Sequence, residues 1–424
     1  MYKLKEKLAS QIPVLRDELK DLIGNNGDKV ISQVTIQQLW GGMRGVKSLI
    51  CDTSVVEPID GLVIRGKSIL ELADRLPEEI FILLLTGELP TPEELKSFQD
   101  SLAALPPVEE YVWDIQRSLP ADTHPMVRLS IGILSLEKNS KFRAMYTEGM
   151  KKSDYWEPAL EDSMVLMHKI PELAAGIYRI HTGKGDPIHP KADLDMGANF
   201  AYMLGLPDPN GEFADLMRLY LVLHSDHEGG NVSALTTHVV GSALSDPYYA
   251  VSAGLNGLAG PLHGLANQEC LAFVLDIEKR FNGVPDKQKL IDFCWETLNS
   301  GKVIPGYGHA VLRKTDPRFT AFRDFGLKHC KDSQPFQIVD KLFQIVPGVL
   351  KEQGKASCPY PNVDAGSGSL LYHYGMTEFE YYTVLFGVSR AMGMLTQLVL
   401  SRAMGAPIFR PKSISRDWVR EQVK

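Results

Sequence analysis

The sequence predicts an all-α fold, and three observations carry that expectation. Leu-, Ala- and Met-rich segments with apolar residues at helical spacing fill most of the 424 residues. Helix start and stop signals punctuate them, such as Thr91-Pro-Glu-Glu94 before an apolar stripe and Pro106-Pro107 after it. Strand-type alternation is nearly absent from Pro125 onward. There is no internal repeat, low-complexity tract or composition break.

Taken in order, residues 1–23 read as a helix with Leu4, Leu8, Ile12, Leu15, Leu19 and Leu22 on one stripe. Residues 46–66 carry Val, Ile and Thr between the turn signals Glu57-Pro58 and Asp60-Gly61, and form the best candidate for a small β-element. The capping box at Thr91 has Pro92 at the first helical position and opens a helix carrying Leu95, Phe98, Leu102 and Leu105. Ala214–His227 reads as a helix placing Leu216, Leu219, Tyr220, Leu223 and His227 on one face, stopped by Gly229-Gly230. Thr377-Glu-Phe-Glu380 reads as a second capping box, opening a long helix to about Ser401. The apolar run Tyr381–Leu400 contains Arg390 and reads as a buried core helix rather than a membrane span.

Composition narrows the function classes. Hydrophobic residues make up 44% and charged residues 23%, ordinary values for a globular protein. The net charge of −7, from 45 basic and 52 acidic residues, argues against a general nucleic-acid or anionic-membrane binder. Five scattered cysteines with no CxxC pair argue against a disulfide framework or a zinc site. The first residues lack the apolar core of a signal peptide and carry acidic residues unusual in a transit peptide. The expectation is a cytoplasmic protein, with the mitochondrial matrix as the alternative if a transit peptide has been removed.

Three Gly/Pro-rich stretches stand out as places where chemistry is presented. Asn256-Gly-Leu-Ala-Gly-Pro-Leu-His-Gly-Leu-Ala-Asn-Gln-Glu269 puts His263 just ahead of a strong helix former. The positive end of a helix dipole disfavours a second positive charge, so a neutral, hydrogen-bond-donating imidazole is expected there. Ile304-Pro-Gly-Tyr-Gly-His-Ala310 presents His309, and Pro361-Asn-Val-Asp-Ala-Gly-Ser-Gly-Ser369 presents Asp364. Two histidines and one carboxylate in such loops suit two hydrogen-bond donors and one general base. The bland reading is a solvated histidine in each loop and an aspartate acting as a cap, and spacing alone leaves it the commoner one.

Ordered blocks along the chain resolve that choice by resemblance. Trp40-Gly-Gly-Met-Arg-Gly45, His224-Ser-Asp-His-Glu-Gly-Gly-Asn-Val-Ser233, Gly241-Ser-Ala-Leu-Ser-Asp-Pro247, the three loops above, Gln353-Gly-Lys355, Tyr381–Arg390 and Arg410-Pro-Lys-Ser413 run nearly end to end. The chain resembles the citrate synthase family of the mitochondrial type. The resemblance implies a large helical domain, residues 1–264 and 371–424, interrupted by a smaller helical domain, residues 265–370, with the active site in the cleft between them. It implies condensation of acetyl-CoA with oxaloacetate, then hydrolysis of citryl-CoA to citrate and CoA. Coenzyme A thioester is a substrate there, and neither a cofactor nor a metal is needed.

Carried over residue by residue, the resemblance makes Asp364 the base, His263 the donor to the enolate oxygen, and His309 the donor to the oxaloacetate carbonyl. Arg318, Arg390 and Arg410 match the arginines that hold the two oxaloacetate carboxylates, a task suited to their planar forks. His227 assists, and Phe386, one turn before Arg390, lines the site. Arg410 is expected in trans from the second subunit of a homodimer. For coenzyme A, the segment with Ile304, Gly306, Tyr307 and Gly308 resembles the adenine-recognition loop, and Arg44, Lys152 and Lys355 the phosphate contacts. Lys152 stands where the family prefers Arg, and Ser357 where another basic residue is expected. Gly366 replaces a histidine of the animal enzymes, which suggests tolerance of propionyl-CoA. The alternative activities are 2-methylcitrate synthesis from propionyl-CoA and a citrate synthase running reversibly in citrate cleavage.

Other motifs weigh less. His224 and His227 beside Asp226 and Glu228 have no evident third metal ligand. Gly387-Val-Ser-Arg-Ala391 fails the nucleophile-elbow pattern, and His181-Thr-Gly-Lys-Gly-Asp186 is not a P-loop. A non-enzymatic helical scaffold is the second class, and it has no need of His and Asp in Gly-rich loops.

Overall fold

The structure, a computed structural model, describes residues 2–424. It is helical almost throughout, with one small antiparallel sheet. The first helix, Tyr2–Asn26, buries Leu4, Leu8 and Ile12, but Leu15 and Leu22 stay exposed, so only the first half of the expected stripe packs. The first two strands of the sheet fall inside the 46–66 segment expected to form it, and the third lies just beyond it. Its strands are β1 (Ser54–Glu57), β2 (Gly61–Ile64) and β3 (Lys67–Ser68), with Ser54 opposite Ile64 and Glu57 opposite Gly61. Thr91 caps helix Pro92–Ala103 as a full capping box, and that helix buries Phe98 and Leu102.

The main core surrounds helix Tyr382–Ala403, which packs on Trp156–His181, Val232–Ser242 and Pro247–Leu258. It is long and apolar enough to cross a membrane by length and composition, yet it is buried inside the protein, as a core helix should be. The close approach of Val232–Ser242 to Pro247–Leu258 depends on Gly254. A Cβ there would lie 2.7 Å from Met394 Sδ and 2.8 Å from the Ser233 carbonyl oxygen.

A second core is built from Val274 and Ile277 on Ala266–Phe281, and Leu290, Phe293 and Cys294 on Lys287–Asn299. Phe319, Leu342, Val346 and Ala365 from the helices that follow complete it. Three connecting loops, at 259–265, 304–316 and 360–363, join helices that contribute to the two cores.

Two helix boundaries differ from the sequence reading, for local reasons. The helix expected over Ala214–His227 is Glu212–Leu223, so His227 leaves the stripe. The chain turns there because Asp226 and Glu228 bond to β1 instead of continuing the helix. The capping box expected at Thr377 does not form. A 3₁₀ turn, Phe379–Tyr381, precedes the long helix, and Glu378 instead accepts the Tyr178 hydroxyl at 2.7 Å and pairs with Lys184 at 3.1 Å.

Candidate active site

His309 sits in a loop held by the segment that carries Asp364. Gly308 N–H donates to the Tyr360 carbonyl at 3.2 Å, Asn362 N–H to the Gly306 carbonyl at 2.9 Å, and Asn362 Nδ2 to the Gly308 carbonyl at 3.1 Å. Gly306 and Gly308 both have positive φ, 78° and 107°, which a side chain would resist. The His309 ring turns back on its own chain. Its Nδ1 accepts the backbone N–H of Val311 and of Leu312, each at 3.0 Å. Protonating Nδ1 would take the acceptor from both donors, at about 1–3 kcal/mol for the part-buried Leu312 N–H and less for the exposed Val311 N–H. The proton therefore belongs on Nε2. Burial and the Arg318 charge also hold the imidazole below its ordinary pKa.

His263 reaches the same state by the other nitrogen. It lies in the turn between Pro247–Leu258 and Ala266–Phe281, three residues before the second helix. Its Nε2 stands 3.3 Å from Ser233 N and 3.0 Å from Ser233 Oγ. The hydroxyl is a free rotor already donating to Asn231 Oδ1 at 2.7 Å, whereas the N–H at the start of helix Val232–Ser242 is a fixed donor. The fixed donor decides: Nε2 accepts, and the proton belongs on Nδ1. The neutral ring expected from the sequence is present, but for a different leading reason. Burial, then the Arg390 charge, pushes its pKa down to about 4.

Asp364 opens helix Asp364–His373. The capping role expected of an aspartate here is taken by Asn362, whose Oδ1 accepts Asp364 N–H at 3.0 Å. Among the described residues the Asp364 carboxylate has no ion-pair partner. Burial raises its pKa to about 6, against the lowering pull of Arg318 and Arg390. A carboxylate close to neutrality, held without a partner, is suited to proton abstraction.

The arginines are positioned differently. Arg390 is buried in Tyr382–Ala403; its Nε donates to the His224 carbonyl at 3.1 Å, and its guanidinium lies 4.8 Å from the centre of the Phe386 ring. Burial lowers its pKa to about 10, and Asp226 is the first charge opposing that shift. Arg318 is buried beside Asp316, bonding it through Nε at 3.0 Å and Nη2 at 2.7 Å. Two of the five N–H donors of Arg318 are thus spent on Asp316, leaving both on Nη1 and one on Nη2. Removing one partner of such a buried pair costs about 3–5 kcal/mol. Phe386 also packs edge-on against His224 and His263, with ring centres 5.1 and 6.2 Å apart.

His227 faces His309, with ring centres 6.3 Å apart, and is held well below its ordinary pKa by burial, Arg318 and Arg390. Its turn is tied to β1: Ser54 Oγ and Thr53 Oγ1 donate to Asp226 Oδ2 at 2.9 and 2.5 Å, and Val56 N–H donates to Glu228 Oε1 at 2.7 Å. His224 is stacked on Tyr220 with its Nδ1 3.1 Å from the Tyr220 carbonyl, a packed position. Among the described residues, no group of three or more His, Cys, Asp or Glu side chains is placed to hold a metal ion.

Asp316, Ser233 and Asp226 are the supporting residues that the sequence reading did not assign. Asp316 is signalled by Asp316-Pro317 at a helix start, and Ser233 and Asp226 by the block they share with His224, in which Asp226 reads only as a neighbour of a possible metal pair.

The family pattern described as "Citrate synthase, C-terminal domain" matches residues 42–412. "Citrate synthase, mitochondrial" of Saccharomyces cerevisiae is 49% identical over 431 residues, spanning 99% of this chain and 90% of that protein. This chain belongs to the citrate synthase family. "Citrate synthase 4, mitochondrial" of Arabidopsis thaliana is 47% identical over the same shares. The crystal structure of citrate synthase from Pyrobaculum aerophilum superposes with a TM-score of 0.79 at 30% identity, covering 92% of this chain and 95% of that one. The fold is therefore the all-α citrate synthase fold, and the protein is an enzyme transferring acyl groups.

The remaining residues matched to citrate synthase positions are spread out. Ile304 is buried in the second core, and Tyr307 bridges to Pro361. Lys355 is exposed after helix Gln334–Gln353. Arg44 is exposed in the turn after Ile36–Trp40, and Lys152 packs near Gly405. Arg410 is exposed in an extended tail whose Phe409 N–H donates to Ser242 Oγ at 2.9 Å. A side chain at Gly366 would point at the Phe319 ring, its Cβ 3.2 Å away, so the missing bulk faces the second core.

Proposed function

We propose that this citrate synthase condenses acetyl-CoA with oxaloacetate through Asp364, His263 and His309 as the reacting trio. Asp364 takes a methyl proton from acetyl-CoA. The Nδ1–H of His263 holds the thioester oxygen as it becomes an enolate oxygen. The enolate carbon attacks the ketone carbon of oxaloacetate, and the Nε2–H of His309 binds the ketone oxygen and delivers a proton as it becomes an alkoxide. Water then hydrolyses citryl-CoA to citrate and CoA. The observation that carries this reading is that backbone N–H groups face Nδ1 of His309 and Nε2 of His263, leaving the opposite nitrogens to donate, while Asp364 is a buried carboxyl of raised pKa that feels Arg318, as His309 does, and Arg390, as His263 does. Donors fixed before reaction stabilise developing charge without reorganising.

In this reading Arg390 and Arg318, with His227, hold oxaloacetate beside Phe386. Arg410 comes from the second subunit of a homodimer; its exposure on an extended tail supports this. The domain division is 1–264 with 371–424 against 265–370; the second core lies within 265–370, while Leu271, Leu312, Phe322 and Phe336 of that span pack into the main core. Ile304, Gly306, Tyr307, Gly308 and Lys355 take coenzyme A, with Arg44 and Lys152 at its phosphates. No resident cofactor enters these steps. A solved citrate synthase of Thermoplasma acidophilum is described as a ternary complex with carboxymethyl coenzyme A and oxaloacetate, the same two ligand types. The mitochondrial names of the relatives favour the matrix over the cytoplasm. Propionyl-CoA is the minor substrate, because Gly366 opens no space toward the reacting trio.

The test is CoA release with oxaloacetate and either acetyl-CoA or propionyl-CoA. Acetyl-CoA turnover that survives Asp364→Asn would remove the trio, and a propionyl-CoA preference would replace the substrate. Mixing Arg410→Ala and Asp364→Asn subunits tests the trans arginine. About half of wild-type activity per heterodimer is expected for independent sites; no recovery in verified heterodimers would place Arg410 outside a shared site.

A further inference from the structure

The small sheet touches both loops that face oxaloacetate in the reading above. On one side, β1 and the residue before it hold the His227 turn through four hydrogen bonds. Thr53 and Ser54 donate to Asp226, Glu228 N–H donates to Ser54 Oγ at 2.8 Å, and Val56 N–H donates to Glu228 Oε1. Glu228 has φ +58°, a conformation a glutamate adopts only when its surroundings enforce it. On the other side, the β1–β2 turn holds the loop running from His309 to Arg318. Arg313 N–H donates to the Pro58 carbonyl at 2.8 Å. Gly61, at the start of β2, lies against Pro317, the first residue of the helix that carries Arg318.

The Gly61 contact is tight. A Cβ built on Gly61 falls 2.5 Å from Pro317 Cγ and closer still to Cδ, but 3.9 Å from Pro317 Cβ. Any side chain at 61 must push Pro317 away, and Pro317 moves between Asp316 and Arg318. Asp316 is also pinned by its N–H to the Pro361 carbonyl at 3.1 Å, so displacement at Pro317 has to be taken up by the Asp316–Arg318 pair.

We propose that the sheet is a spacer that sets the distance between the His227 turn and the Arg318 loop, and that Gly61 is its positioning residue. Gly61 touches no reacting group and acts through Pro317. The lack of a side chain at 61 fixes how closely the two loops approach, and with them His227 and His309. This inference rests on the reading of Arg318 and His227 as oxaloacetate contacts.

The experiment is a double-substitution cycle read by steady-state kinetics. Gly61→Ala is expected to raise the oxaloacetate KM about tenfold or more, with a smaller change in kcat at saturation, because small misplacements of binding groups are costly. Pro317→Ala removes Cγ and Cδ, the atoms a Cβ at 61 would strike. The double variant is therefore expected to return to within about twofold of the KM of Pro317→Ala alone, the signature of two residues coupled by direct contact. The positive φ of residue 61, +74°, is unchanged by Pro317→Ala, so backbone strain predicts no rescue. An unchanged KM in Gly61→Ala, or a KM still raised in the double variant, would overturn the proposal. If Gly61→Ala fails to fold, hydrogen exchange in the wild-type enzyme decides: the Arg313 amide is expected to be protected without ligand, and rapid exchange there would overturn the spacer. Arg318→Gln separates the two layers. If it leaves the oxaloacetate KM unchanged, the underlying reading fails; if it raises KM while Gly61→Ala does not, only the spacer fails.

Discussion

His309 and His263 are both half-buried, both near an arginine and both held neutral, yet they are built in opposite senses. His309 gives Nδ1 to two backbone donors of its own loop. His263 gives Nε2 to one donor from a different helix. The comparison shows that burial decides the charge of an imidazole, while a fixed backbone N–H decides which nitrogen carries the proton. It also separates a locally aimed ring from one aimed at a distance: the His309 ring is turned by N–H groups within four residues, whereas that of His263 requires two helices to meet at Gly254.

Asp364 stands apart from both histidines, since its proton is exchanged rather than shared, and its loss should be the largest effect. Asp364→Asn is expected to lower kcat by a factor on the order of a hundred to ten thousand. Because folding raises the pKa of this carboxyl, its charge opposes stability above the ordinary carboxylate range. The variant should therefore gain stability relative to wild type as pH rises from about 4 to about 6 and keep that gain, unchanged, at pH 7 and pH 8, as calorimetry would show. A lower melting temperature would mean that the carboxylate has a partner.

The amide substitutions sharpen the comparison next. An Asn side chain offers a group near Nδ1, and Gln one near Nε2. At position 309, Gln keeps the outward donor and Asn removes it, so His309→Asn should lose more activity. At position 263 the order inverts, with Asn retaining the donor and Gln losing it. Losing a donor to developing oxyanion charge costs a factor of about a hundred to a thousand in kcat. The same ranking at both positions would break the opposite-nitrogen account.

The pH profile is a smaller effect with a definite sign. Asp364 must be ionised to act, and its pKa is raised to about 6. The kcat/KM for acetyl-CoA should fall about tenfold per pH unit below that value and level off above it. His263, with a pKa of about 4, is already neutral there and should add no second limb, and the lowered pKa of His309 moves its limb below the ordinary imidazole value. The smallest expected effect is that of Ser233→Ala. The backbone donor to His263 survives the substitution, so kcat should stay within about threefold of wild type, given that the hydroxyl bond is worth about 1 kcal/mol or less. A large loss would assign the His263 tautomer to the hydroxyl instead.

How much of this was legible follows the same division between local and distant causes. The all-α class, the sheet at residues 54–68 and the capping box at Thr91 rest on spacing within one segment, and the sequence carries that directly. The end of helix Glu212–Leu223 was not legible, because β1, more than a hundred residues earlier, draws Asp226 and Glu228 away from the helix. The helix start at Tyr382 was misread for a similar reason: Glu378 finds Tyr178 and Lys184 in place of a cap. Within the site, the residue types and their loops were visible, and the family resemblance supplied their roles. The pairing of Arg318 with Asp316 and the direction in which Gly366 lacks bulk depend on packing that no local pattern records.

The most direct test is the protonation of the two rings, read by nitrogen-15 NMR of the histidine side chains in the resting enzyme at pH 7. His263→Gln and His309→Gln spectra would assign the two signals. The account predicts two neutral imidazoles, His263 protonated on Nδ1 and His309 on Nε2. Finding the same tautomer at both positions, or a cationic ring at either, would contradict it.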